Sequence, residues 1–249
     1  MKKFAVVLLL FIQFCSGKTL CAQENSLKVT LIVNMPLPAG KYSQDIGQDP
    51  QITRRFGFDY GDRVGLANPG YGFGIEMNQQ VLVNNLHWIT SLRFLANNAD
   101  PSRVSSAFTD ILKDSVDVSF DFGTWINIPV FTGFSYYVDI LPNASLYATL
   151  QGGINITDQP YRKAIVDGKV VEKTIFRMTP DFGYEIGFGL ELFQKYHVGI
   201  RYLDLGSPRY DGTRRLNESF FTSIPKRKMN IDGDERPVSL ILLYLGYNL

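Results

Sequence analysis

The stretch Phe182 to Leu192 sets the tightest constraint on the fold. Phe182, Tyr184, Ile186, Phe188, Leu190 and Leu192 alternate without interruption with Gly183, Glu185, Gly187, Gly189 and Glu191. A period of two places the two sets on opposite faces of a β-strand. One face is wholly apolar, and the other holds only glycine and carboxylates. Related patterns run over Leu27 to Met35, Tyr71 to Asn78, Leu86 to Leu95, Val116 to Tyr137, Ser145 to Ile156, Tyr196 to Leu205 and Val238 to the C-terminus. These read as strands, giving eight in all. Pro129 interrupts the fourth strand and predicts a bulge or kink, because proline cannot donate to a ladder.

The links between these strands alternate in length. Those after the second, fourth and sixth are short (Gln79 to Asn85, Val138 to Ala144, Phe193 to Lys195). Those after the first, third, fifth and seventh are long (Pro36 to Gly70, Ala96 to Ser115, Thr157 to Thr179, Gly206 to Pro237). In an up-and-down barrel every second link lies on the same side. Outer-membrane barrels keep short turns in the periplasm and long loops outside. Asp167-Gly168 and Asp232-Gly233 read as turns that would extend strands outward as hairpins.

Periodicity alone fits either a soluble β protein, with its apolar face inward, or a membrane barrel, with that face toward lipid. Three features favour the second. Lone charges (Glu76, Arg93, Asp121, Glu185, Glu191, Arg201) sit on the glycine-rich face, where they could pair across a narrow interior. Tyrosines gather near strand ends, at Tyr136, Tyr137, Tyr147, Tyr184, Tyr196, Tyr202, Tyr244 and Tyr247, as in a bilayer-interface belt. Ser239 to Leu249 closes the chain within a strand. The expected fold is therefore all-β: an eight-stranded antiparallel up-and-down transmembrane β-barrel, with both termini periplasmic and the long loops extracellular.

The first residues read as a cleaved export signal, residues 1–22, ahead of a barrel domain over 23–249. Lys2 and Lys3 precede an apolar run from Phe4 to Phe14, and Ala22 precedes Gln23-Glu24-Asn25. The run is about half the roughly 20 residues that a spanning helix needs. Cys15 and Cys21 are the only cysteines. Cleavage after Ala22 removes both, and with them disulfides, thiolate metal sites and thiol nucleophiles. Removing Lys2, Lys3 and Lys18 from 25 basic residues leaves 22 against 24 acidic, a net of −2. Without a basic excess, nucleic acid is not an expected partner.

The run Trp125-Ile-Asn-Ile-Pro-Val-Phe-Thr-Gly-Phe-Ser-Tyr-Tyr137, followed by Ser145-Leu-Tyr-Ala-Thr-Leu-Gln-Gly-Gly-Ile-Asn155, resembles small outer-membrane barrels common in Bacteroidetes. There an "x-Ile-Pro-Leu/Val" strand precedes a "Tyr-x-x-x-Gly-x-Gly" strand, which the adjacent Gly152-Gly153 matches loosely. Gly183 to Gly189 and the Ala22-Gln23 junction are also similar to that family. The resemblance implies an eight-stranded barrel of the OmpA/OmpX-like kind. It extends to PorT-like secretion components and implies no catalytic residue.

Candidate sites are few. His87 and Ser91 share a strand face, which raises a lipid A-modifying enzyme as an alternative. Four residues along a strand separate them by roughly 13 Å, beyond hydrogen-bond reach. His197 reads as interfacial. Arg214, Arg215, Lys226, Arg227 and Lys228, in the last long loop, are candidates for lipopolysaccharide phosphates. Asp211, Glu218, Asp232, Asp234 and Glu235 share that loop and offset its charge. The glycine motifs fall within strands, with no helix after them to cradle a phosphate. No cofactor, metal or catalytic residue is expected. The sequence points to a small non-enzymatic outer-membrane barrel that acts through its loops or an envelope partner, in adhesion, envelope integrity or secretion. A narrow channel is the other alternative. Expected partners are outer-membrane lipid and lipopolysaccharide, the barrel-assembly machinery, and an envelope or secretion partner.

Overall fold

The computed structural model describes residues 27–43, 66–81, 85–102, 117–216 and 227–249. The expected leader at residues 1–22 and Lys226 lie outside the described residues. The strands are β1 (Lys28–Ala39), β2 (Tyr71–Gln80), β3 (Leu86–Asn98), β4 (Val118–Phe122), β5 (Thr124–Leu141), β6 (Ala144–Asp158), β7 (Arg162–Val166), β8 (Lys169–Phe176), β9 (Thr179–Leu192), β10 (Tyr196–Asp204), β11 (Arg209–Leu216), β12 (Arg227–Glu235) and β13 (Ser239–Asn248). Eight of them close an antiparallel barrel in the order β1-β13-β10-β9-β6-β5-β3-β2. The other five form a second sheet, β12-β11-β8-β7-β4, built from three of the long links.

The barrel is inverted relative to a soluble protein. Leu150 and Phe188 stand 59% and 58% exposed on its outside, while Glu185 and Arg93 are 0% and 1% exposed within. Water would penalise that outer surface, and a hydrocarbon bilayer suits it.

The interior is not uniformly polar. At the end from which the second sheet emerges, Leu95, Trp125, Phe131, Leu203, Leu240 and Leu242 fill it as an apolar cluster, beside the buried, mutually hydrogen-bonded Asn127, Asn155 and Thr157. Tyr42, in a short 3₁₀ turn after β1, drops into that layer with its ring edge against Trp125, centroids 5.2 Å apart. Asn127 Nδ2 donates to the Tyr42 hydroxyl at 3.4 Å. Tyr210 of β11 and Phe176 of β8 extend the same cluster upward, with Trp125 and Tyr210 6.1 Å apart. The emergent sheet and the barrel mouth therefore share one core.

Four features differ from the sequence reading. The fourth predicted strand is two. β4 leaves the barrel and pairs with β7, and β5 begins after Gly123. On β4, Val118 and Phe120 are buried under the emergent sheet. Beyond the bilayer the outer solvent is water, so the same alternation turns its apolar side inward. Second, Pro129 causes no bulge. Pairing of β5 with β3 lapses between Leu92↔Val130 and Leu95↔Asn127, but the register holds. The irregularity of β5 lies between Asp139 and Leu141. Third, Asp167-Gly168 is a hairpin turn with both φ angles positive, at 47° and 74°. Asp232-Gly233 is not a turn. It lies within β12, where the register with β11 shifts between Tyr210 and Gly212. Fourth, Tyr137, Tyr147 and Tyr244 are buried inside the barrel, whereas Tyr136, Tyr184, Tyr196, Tyr202 and Tyr247 face outward. A tyrosine suits a lipid interface and a polar lumen equally well, and strand parity decides between them.

Trp125→Ala should remove the shared support of the sheet, at a cost of about 3–5 kcal/mol. Limited proteolysis of the membrane-inserted protein should then cut between residues 159 and 178 at protease levels that leave wild type intact. Equal resistance would mean that the sheet stands without the core.

Candidate functional site

Below the apolar layer, two arginines and two glutamates close the lumen. Glu76 and Arg93 come from β2 and β3, and Glu185 and Arg201 from β9 and β10. In the barrel order two strands separate these hairpins on either side, so they occupy opposite walls. Arg201 Nη1 donates to Glu76 Oε2 at 2.7 Å and to Glu185 Oε1 at 2.6 Å. Its Nη2 donates to Glu76 Oε1 at 3.2 Å. Arg93 Nη1 pairs with Glu185 Oε2, and its Nη2 reaches Glu185 Oε1 at 3.2 Å and Glu76 Oε2 at 3.3 Å. Gln151 Nε2 adds a donor to Glu185, and Ser91 donates to Gln151. The Arg201 guanidinium also lies over the Tyr244 ring, 4.2 Å from its centroid.

Local sequence makes room for this arrangement. Gly187 is the cross-strand partner of Arg201, and Gly74 that of Arg93. A Cβ on Gly187 would lie 2.5 Å from Arg201 Cγ, and one on Gly74 would lie 2.8 Å from Arg93 Cγ. Each arginine can cross the lumen because its neighbour has no side chain. Charges in so dry a place are tolerated only when paired and hydrogen-bonded.

Glu191 and Asp121 do not join this group. Glu191 lies inside the barrel toward the short turns, where Lys28 Nζ donates to it at 3.0 Å and Asn248 Nδ2 at 3.3 Å. His197, read as interfacial from sequence, is buried there, its Nε2 3.0 Å from Asn248 Oδ1. Asp121 is outside the barrel, because β4 belongs to the emergent sheet. Its carboxylate accepts from Lys163 Nζ at 2.6 Å. That hydrogen bond holds the half-buried Lys163 ammonium above its ordinary pKa. His87 bonds Asn78 Oδ1 at 2.7 Å and packs at a tilt against the Tyr137 ring. Ser91 is engaged by Gln151, so the two make no Ser–His pair.

The basic candidates of the last loop divide between two faces. Arg214 turns to the covered side of the sheet and bonds Glu172 Oε2 at 2.6 Å. Arg215 points the opposite way and is exposed, paired in register with Lys228 and with Lys173. Arg227 pairs with Leu216 in the backbone register. Neighbours in a strand alternate faces, so Arg214 cannot join Arg215 and Lys228 in one patch. Lys173 and Lys163 were missed because they belong to a different loop. Among the described residues no group of three or more His, Cys, Asp or Glu side chains could hold a metal ion.

Glu185→Gln should leave two buried guanidinium groups facing one carboxylate, a loss of about 3–5 kcal/mol. Gly187→Leu should push Arg201 aside to similar effect. Urea unfolding in lipid vesicles would measure both. Unchanged midpoints would show that the ion pairs are dispensable.

No protein-family model matches the chain, and neither does any curated protein. Solved structures with a similar fold include a major outer membrane protein from Thermus thermophilus, at 9% identity and TM-score 0.47, covering 90% of this chain and 100% of that one. OprG from Pseudomonas aeruginosa shows 11% identity and TM-score 0.41, over 90% of this chain and 96% of that one. Neisserial surface protein A shows 11% identity and TM-score 0.40, over the same shares. The likeness concerns the general fold, and no residue role is carried across.

Proposed function

We propose that this protein is a closed, non-enzymatic outer-membrane barrel whose work is done by the five-stranded sheet above it. The observation that carries this reading is the filled interior beneath an ordered emergent sheet. The Glu76–Arg93–Glu185–Arg201 group and the apolar layer around Trp125 occupy successive levels of the lumen. A pore would need open space through both levels, and both are filled by buried side chains, as expected of so narrow a barrel. The three long links have meanwhile been spent on a sheet that shares the barrel's core. The bonding of His87 and Ser91 to other partners likewise supports a non-catalytic role.

In this reading residues 1–22 are removed on export, and residues 23–249 form the mature protein. The short turns at Pro142-Asn143 and Phe193 to Lys195 lie in the periplasm with both termini, and the sheet stands outside the cell. Outer-membrane lipid and lipopolysaccharide surround the barrel, and the barrel-assembly machinery inserts it. The resemblance of Trp125 to Tyr137 to Bacteroidetes barrels, PorT-like proteins among them, extends the proposal to an envelope or secretion partner contacted by the sheet. Adhesion and envelope integrity are the other roles such a surface would serve.

Three measurements test the proposal. Purified protein in planar bilayers should give no conductance steps. Protease added to intact cells, at levels above those the wild-type sheet resists, should cut the β7–β8 hairpin but not the turn at Phe193 to Lys195. Stable unitary steps would establish a channel, and the reverse cleavage pattern would invert the orientation. A change in lipid A mass on expression would establish an enzyme.

A further inference from the structure

The outward face of the emergent sheet carries cations in a row. The registers connect Lys228↔Arg215, Arg215↔Lys173, Lys173↔Lys163 and Lys163↔Asp121. Directly opposed residues of antiparallel strands share a face. Four basic side chains from β12, β11, β8 and β7 therefore stand side by side, with a single carboxylate at one end. At about 4.8 Å between strands, the row spans roughly 14 Å.

Among the described residues, the surrounding charges do not cancel it. Asp121 accounts for Lys163. Glu172, the acid within β8, faces the covered side and is taken by Arg214. Asp211 lies four residues along β11 from Arg215, roughly 13 Å down the strand. Among the described residues, Lys173, Arg215 and Lys228 make no ion pair. Like charges placed directly opposite one another destabilise a sheet. A row of them therefore has a cost that a bound anion would offset.

We propose that this row binds a linear anionic polysaccharide laid across the strands, its sulfate or phosphate groups meeting Lys228, Arg215 and Lys173 in turn. The proposal rests on the reading that the sheet is displayed outside the cell. An extended chain suits a straight row of evenly spaced charges better than a compact headgroup does. The row also stands clear of the lipid: Arg215 is six residues beyond the start of β11, roughly 20 Å of strand. A single-stranded nucleic acid would be gripped by aromatic platforms for its bases. Thr213, Ile175 and Asn230, the next row toward the barrel, offer none, and Tyr161, at the end of the row, is taken up by Lys163 and by Asp121, to which its hydroxyl donates.

The test uses full-length protein in lipid nanodiscs and size-defined dextran sulfate, read by calorimetry. Wild type should bind, and binding should weaken with salt. Lys173→Gln/Arg215→Gln/Lys228→Gln should bind at least tenfold more weakly. Lys41→Gln/Lys169→Gln/Lys195→Gln removes the same charge elsewhere and should bind like wild type. Heat-dependent gel migration checks that both variants are folded. No binding by wild type, or equal loss in both variants, would overturn the proposal. So would preference for lipid A vesicles or for oligo-dT over the polysaccharide. Because the protein is purified, these results do not depend on its orientation in the cell, which protease accessibility tests separately.

Discussion

The structure depends on charge neutralisation across a narrow lumen. Eight strands leave little interior space, and what they enclose must be filled by side chains. Here two arginines and two carboxylates from opposite walls meet at the centre, each buried and each with opposite charges on both sides. A lone guanidinium there would be prohibitively costly, so the four residues stand or fall together. Their reach across the lumen is set in turn by Gly74 and Gly187, whose missing side chains leave the arginines room to extend. The alternation of glycine and charge in β9 is thus a packing pattern as much as a polarity pattern.

Above this level the interior changes character. The layer around Trp125 and Leu203 is a small soluble-type core set inside a lipid-facing shell, and it continues into the emergent sheet through Phe176 and Tyr210. One molecule therefore obeys two solvent rules. Within the bilayer its oily side chains face outward. Beyond it, Val118, Phe120, Ala164 and Val166 turn inward as in any water-soluble sheet. In the proposed division of labour the lower part seals and anchors, and the upper part presents a surface.

Much of this was legible in the sequence, for a definite reason. A period of two assigns faces, so Glu76, Arg93, Glu185 and Arg201 could be placed inside from residue order alone. Which charges meet could not be read, because that depends on strand order around the barrel and on stagger. Asp121 was misplaced because alternation has opposite meanings on the two sides of the membrane boundary, and nothing in Val118 to Phe122 marks the boundary. Leu95 and Leu240 have interior parity, yet an expectation of a polar lumen hid the apolar layer they form. The cation row joins residues from separate loops, and only the cross-strand register brings Lys173 beside Arg215.

The central claim, an apolar exterior in lipid around a filled interior, is tested most directly by spin-label accessibility at two adjacent positions. Single cysteines would replace Leu150 and Thr149, with Cys15 and Cys21 changed to Ser, in protein reconstituted into vesicles. The account predicts strong broadening by membrane-dissolved oxygen at 150, and little access for either oxygen or a water-soluble nickel chelate at 149. A label at 150 that is shielded from oxygen, or one at 149 that is freely reached by the chelate, would contradict it.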